Sequence, residues 1–171
     1  MNSMSKVEKV IVMGVSGCGK TAVGQALAQR LDLPFVDADS LHSPENVAKM
    51  ASGQPLNDDD RAGWLNVLAD LIAGEDRLVL ACSALKRDYR NQLRAADPAL
   101  TFLYLQGSFD TIGARMRARN DHYFTGEEML KSQFRQLEEP IGEGVLLVSV
   151  EQNLDAVIGA SLTALGVGPQ P

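Results

Sequence analysis

Cysteine is scarce in this chain, with only Cys18 and Cys82 among 171 residues. Two thiols cannot build a disulfide framework, and their rarity suits a reducing compartment. Long hydrophobic runs are absent too. None approaches the roughly 20 residues that a membrane span requires, so no membrane partner is expected. Basic charge is in deficit: 16 Lys and Arg face 22 Asp and Glu, for a formal net charge of -6. Nucleic-acid binders usually carry a basic face, and this balance argues against that class. The first residues, MNSMSKVEKV, are polar and lead straight toward a strand, unlike a secretory leader. What is present is ordinary for a globular protein: 45% hydrophobic residues and 22% charged ones. The expectation is one soluble cytoplasmic domain covering residues 1–171, with only the tail GVGPQP frayed.

Short apolar runs alternate with longer amphipathic ones, the pattern of a parallel α/β fold. The apolar runs are Lys9 to Gly14, Pro34 to Asp39, Arg77 to Cys82, Leu100 to Gly107 and Gly144 to Val150. Several are nearly continuous in Val, Leu and Ile, as strands covered on both faces require. Helices are predicted from Lys20 to Leu31, after a Ser43 cap with Pro44 at the first position, and from Asn57 to Gly74. Further helices are predicted over Lys86 to Ala96, Phe109 to Arg119, Glu127 to Glu138 and Asn153 to Leu165. Five parallel strands with helices on both faces follow from this reading.

Between the first strand and first helix stands GVSGCGKT, residues Gly14, Val15, Ser16, Gly17, Cys18, Gly19, Lys20 and Thr21. Gly, four residues, Gly, Lys and a hydroxyl residue describe a loop whose backbone N–H groups point at phosphate oxygens. The helix N-terminus adds positive potential. Lys20 is expected to reach the β- and γ-phosphates, and the Thr21 hydroxyl to ligate Mg²⁺. Cys18 is read as a small neutral residue of the loop. The second strand ends in DAD. On an extended segment Asp37 and Asp39 project to the same side, toward the edge where the phosphate loop opens. One carboxylate can hold hydrated Mg²⁺, and the other can accept a proton from an acceptor hydroxyl. Asp37 is assigned the metal and Asp39 the proton.

GVSGCGKT, DADSLH, LHSPENVAKMASGQPLNDDDRAGWL, CSALKRDYR and ARNDHYF together resemble the gluconate kinases of the small P-loop type. That family is related to shikimate and nucleoside-monophosphate kinases. The resemblance runs from about Val10 to Leu165. It implies a P-loop kinase fold, ATP and Mg²⁺, phosphorylation of D-gluconate to 6-phosphogluconate, and usually a homodimer. Cys18 stands where Ser is commoner in the family, Ala38 where Gly is usual, and the lid is short. None of these departures removes a catalytic group.

Gluconate carries a carboxylate and a chain of hydroxyls, so its site needs a fixed cation and several hydrogen-bonding groups. His42, Lys49, Asn57, Asp59 and Arg61 offer such groups, while Asp58 is read as a plain helix cap and Trp64 as core. Lys86 is the leading candidate for the substrate carboxylate, because a lysine at a helix start opposes the dipole unless an anion is near. Ser83 can reach the metal's water shell or the γ-phosphate region, and Arg87 and Arg90 are read as solvated or surface-paired. Residues about 118–127 are read as a lid. Arg119 is expected on the γ-phosphate and Arg115, four residues earlier on the same face, on the nucleotide. His122 is a candidate substrate contact, and Gln133 and Arg135 candidates to complete the acceptor pocket. Residues Glu151 to Leu154 are placed along the adenine. A kinase of the shikimate type remains the rival enzyme. A GTP-binding switch would carry an Asn-Lys-x-Asp segment, which is absent. A nucleotide-binding protein that only regulates a partner stays open on motifs alone.

Overall fold

The computed structural model describes residues 7–119 and 126–167. Among them five strands, β1 (Lys9–Met13), β2 (Phe35–Asp37), β3 (Leu78–Ala81), β4 (Thr101–Gln106) and β5 (Leu146–Ser149), form one sheet. Every pairing is parallel, in the order β2-β3-β1-β4-β5. The central β1 is flanked on both sides, with Ile11 opposite Leu80 on β3 and Phe102 on β4.

Alternation along β1 divides the core. Val10 and Val12 pack with Val23 and Leu27 of α1 (Lys20–Leu31), Ile112 of α5 (Phe109–Arg119), Leu130 of α6 (Gly126–Gln136) and Val157 of α7 (Leu154–Ala164). Ile11 and Met13 pack on the other face with Trp64, Leu65 and Leu68 of α3 (Asp58–Gly74) and Leu93 of α4 (Arg87–Ala96). This is the expected sheet with helices on both faces. No described helix is long and apolar enough to cross a membrane.

The caps follow the chain's chemistry. Ser43 Oγ accepts the Asn46 N–H at 3.1 Å and starts α2 (Pro44–Ala51). At α3, Asn57 Oδ1 accepts the Asp60 N–H at 2.8 Å, and Asp60 Oδ2 accepts the Asn57 N–H at 2.9 Å. The third acid of the run therefore completes the capping box, which corrects the reading of Asp58 as a plain cap: its carboxylate accepts from Lys86 and Tyr89 of the α4 segment instead.

Two further expectations need correction. Asp39 does not continue a strand. The Asp37 carboxylate accepts the Asp39 N–H at 3.0 Å, which ends β2 and winds Ala38–Leu41 into a 3-10 turn. Such a side chain captures the next backbone donors before a sheet partner can. Arg90 is not a surface residue either, since its side chain is 0% exposed. It donates to the carbonyls of Ala84 at 2.8 Å and Glu138 at 2.7 Å, and to Glu143 Oε2 at 2.9 Å. Arg87 and Arg94 join from either side, at 3.1 and 2.7 Å from Glu143. The Arg90 guanidinium, opposed by burial and helped by Arg94 and Arg87, lowers the Glu143 pKa to about 2. Only Arg87 is surface-paired as expected.

Candidate active site

All five strands run the same way, so the segments after β1, β2 and β3 open on one edge of the sheet. The loop Gly14–Gly19 lies there, between β1 and α1. Gly14 adopts φ 151°, and a Cβ there would stand 2.9 Å from the Leu105 carbonyl oxygen. At Gly17, with φ 81°, a Cβ would fall 2.5 Å from Met116 of α5. Only glycine meets both demands. Lys20 Nζ donates to the Val15 carbonyl at 3.2 Å, folding back over the loop. Cys18 is buried inside it.

Two clefts flank the loop. One, of about 350 Å³, is lined by Gly17, Cys18, Gly19, Arg115, Gln152 and Leu154 among others. Arg115 donates to the Gln152 carbonyl at 3.1 Å across its wall. The other, of about 390 Å³, is lined by Ser16, Gly17, Gly19, Lys20, Thr21, Ala22, Gln25 and Asp39. Thr21 Oγ1 lies 3.3 Å from Asp37 Oδ2 at the exposed rim. A hydroxyl beside one carboxylate suits Mg²⁺, which takes one or two protein oxygens and completes its shell with substrate phosphates and water. No group of three or more His, Cys, Asp or Glu able to hold a metal occurs among the described residues.

Asp39 is held from behind. Trp64 is buried, as expected of core, and its Nε1–H donates to the Ala38 carbonyl at 2.8 Å. The same indole stacks on His42, with centroids 4.3 Å apart and planes 17° apart. Asn46 Nδ2 donates to the Asp60 carbonyl at 2.7 Å and lies 3.2 Å from His42 Nδ1. With Nδ1 accepting, the neutral ring carries its proton on Nε2, 3.9 Å from Asp39 Oδ1. Burial lowers the His42 pKa, against the pull of Asp39.

A cationic group forms the next wall. Arg61 is buried and donates from Nη1 to Tyr89 Oη at 3.1 Å and Gln136 Oε1 at 2.6 Å. Tyr89 in turn donates to Asp58, which also accepts from Lys86 Nζ at 2.9 Å. The Tyr89 hydroxyl first and Lys86 second hold the Asp58 carboxyl below its ordinary range, and Asp58 raises the Lys86 pKa. Lys86 is the N-cap of α4 rather than its first helical residue. The anion that relieves its unfavourable place at the dipole is Asp58. Lys49 pairs with Asp60 at 2.6 Å, whereas Asp59 is exposed and without a hydrogen-bonding side-chain partner among the described residues. Gln133 reaches the phosphate loop: its Oε1 accepts the Ser16 N–H at 2.7 Å and its Nε2 donates to Ser16 Oγ at 3.0 Å. Arg119 closes α5, and its side chain lies outside the described residues, as does His122. Cys82 is buried, which pushes its thiol up to about 12 and removes it as a nucleophile.

Tyr89, Asn46 and Gln136 were not singled out from sequence. Tyr89 follows Lys86 by three residues, and Gln136 follows Gln133 by three, spacings that put each pair on one helical side. Asn46 left no such signal, because its partners come from separate segments.

A model of the family described as shikimate kinase matches residues 16–152. The thermoresistant gluconokinase of Escherichia coli (strain K12) is 43% identical over 164 residues, spanning 92% of this chain and 93% of that protein. The chain belongs to the gluconokinase family. A probable gluconokinase of Mus musculus is also 43% identical, over 91% of this chain and 96% of its own length. The crystal structure of a gluconokinase from Sinorhizobium meliloti 1021 superposes with a TM-score of 0.90 at 40% identity, covering 95% of this chain and 94% of that one. The family match covers the loop from Ser16 onward, both strand-end acids, Arg61 and Lys86.

Proposed function

We infer that this chain transfers the γ-phosphoryl group of ATP to the terminal hydroxyl of D-gluconate, giving 6-phosphogluconate. The observation that carries the reading is Asp39 lining the same cleft as Lys20 and Thr21. A proton acceptor there stands beside the place where a γ-phosphate would lie on the loop. The loop N–H groups and Lys20 hold the phosphates, and the cleft along Arg115 and Gln152 has room for the nucleoside. Mg²⁺ would be held by Thr21 and Asp37 and would supply charge neutralisation on the phosphates. Asp39 takes the hydroxyl proton as the new O–P bond forms and the bond to the β-phosphate oxygen breaks. His42, with its proton on the side of Asp39, orients that carboxylate or the sugar chain. Lys86 and Arg61 supply the cations for the gluconate carboxylate, which would take the place of Asp58 on Lys86. Arg119 on the γ-phosphate and His122 on the substrate complete this reading, together with Lys49 and Asp59 at its edge.

We read residues 1–171 as one kinase domain, working as a cytoplasmic homodimer as the resemblance of its motifs implies. A coupled assay of ADP release tests it. ADP production that depends on gluconate, with none on shikimate, is expected. Turnover on shikimate alone would transfer the chain to the rival kinase, and no acceptor-dependent turnover at all would leave a nucleotide-binding regulator.

A further inference from the structure

Helix α6 touches both halves of the reaction. Gln133 grips Ser16 of the phosphate loop by two hydrogen bonds, at 2.7 and 3.0 Å. Gln136, three residues on, grips Arg61 at 2.6 Å. Residues three apart in a helix share a side, so one rigid turn separates the two grips. Each carboxamide is oriented without ambiguity. Gln136 Nε2 donates to Ser132 Oγ at 2.9 Å, which turns its oxygen to Arg61. Gln133 must present its oxygen to a backbone N–H, since only an acceptor serves there. The helix itself is pinned to the core by the fully buried Leu130, and Phe134 meets Phe109 of α5 edge-on at 5.8 Å.

We propose that α6 is a spacer that sets the distance between phosphate donor and acceptor, with Gln133 positioning the loop and Gln136 positioning Arg61. The spacer role rests on the gluconate kinase reading, because Arg61 matters to it as an acceptor-side cation. Neither glutamine touches substrate. Ser16 gives its amide to α6, and Cys18 gives its own to the Val15 carbonyl at 3.2 Å within the loop. Gln133 is thereby moved from the acceptor pocket, where its sequence position had placed it, to the donor side.

The test uses Gln133→Leu and Gln136→Leu, which keep bulk and remove the hydrogen bonds, in the full-length protein. Binding of a non-hydrolysable ATP analogue and of gluconate is measured separately, followed by initial rates. Gln133→Leu is expected to weaken the analogue about tenfold, the scale of a lost hydrogen-bond pair, and to leave gluconate affinity within about twofold. Gln136→Leu is expected to show the reverse split. Gln136→Glu keeps an acceptor for Arg61 and should restore most of the gluconate affinity. A loss of gluconate affinity in Gln133→Leu would make Gln133 a substrate ligand and overturn the proposal, as would wild-type constants in both variants. Should Gln133→Leu fail to fold, Ser16→Ala removes one of its two grips, and a loss confined to the analogue is expected again. Wild type that binds the analogue without phosphorylating gluconate would sink the functional reading while the Gln133 arm still reports on the loop.

Discussion

Asp37 and Asp39 differ by two positions and by everything around them. Asp37 terminates a strand, caps the 3-10 turn and faces Thr21 Oγ1 at 3.3 Å. Asp39 stands on that turn, 65% exposed at its side chain, over the cleft that holds Lys20. Their proposed roles therefore separate in a metal titration. Asp39→Asn keeps the shape and removes the basic charge, so kcat should fall by ~10²–10⁴-fold at every Mg²⁺ concentration. Asp37→Asn weakens a metal contact, and part of its defect should recover as Mg²⁺ rises. The measurement is kcat for both variants and wild type across the titration. Rescue of Asp39→Asn alone would exchange the two roles.

At the scale of elements, α4 is fastened by charge. Its arginines 87, 90 and 94 converge on Glu143, whose side chain is 6% exposed. Glu143→Gln leaves the Arg90 charge buried without its counter-ion, and removing one member of a buried pair costs about 3 kcal/mol. The pH dependence has a definite sign. The folded-state pKa of about 2 lies below the ordinary 4.5, so this stabilisation is complete above pH 4.5 and is lost as pH falls from 4.5 toward 2. Urea denaturation at pH 7 should separate wild type from Glu143→Gln, and the gap should close in acid. A gap that persists unchanged at pH 2 would mean that packing, not charge, holds α4.

At the scale of the whole molecule, the donor and acceptor walls come from opposite faces of one sheet. The loop packs with the cluster around Val12 and Ile112, and Trp64 and Tyr89 belong to the cluster around Ile11 and Leu80. Ligands that bind only this assembled form must stabilise it by mass action. At a hundredfold excess over Kd the gain is about 2.7 kcal/mol, which for a domain of this size raises Tm by roughly 5–10 °C. An ATP analogue with Mg²⁺ and gluconate are each expected to give such a shift in a thermal melt. Shikimate at the same concentration should give none; an equal shift with shikimate would argue against selectivity for the open-chain acid.

The sequence by itself determined the parallel α/β class, the phosphate loop, the helix starts at Ser43 and Asn57, and the family. All are local: glycine spacing, capping side chains and apolar runs act over a few residues, and their physics is complete within the segment. Tertiary structure alone decided the rest. Whether Arg90 lies in water or beneath Glu143 depends on a segment 53 residues away, and the hold of Gln133 on Ser16 spans 117. The anion at Lys86 proved to be Asp58, from another helix. Long polar side chains choose partners by where the backbone carries them, and that placement exists only once the sheet has gathered both faces.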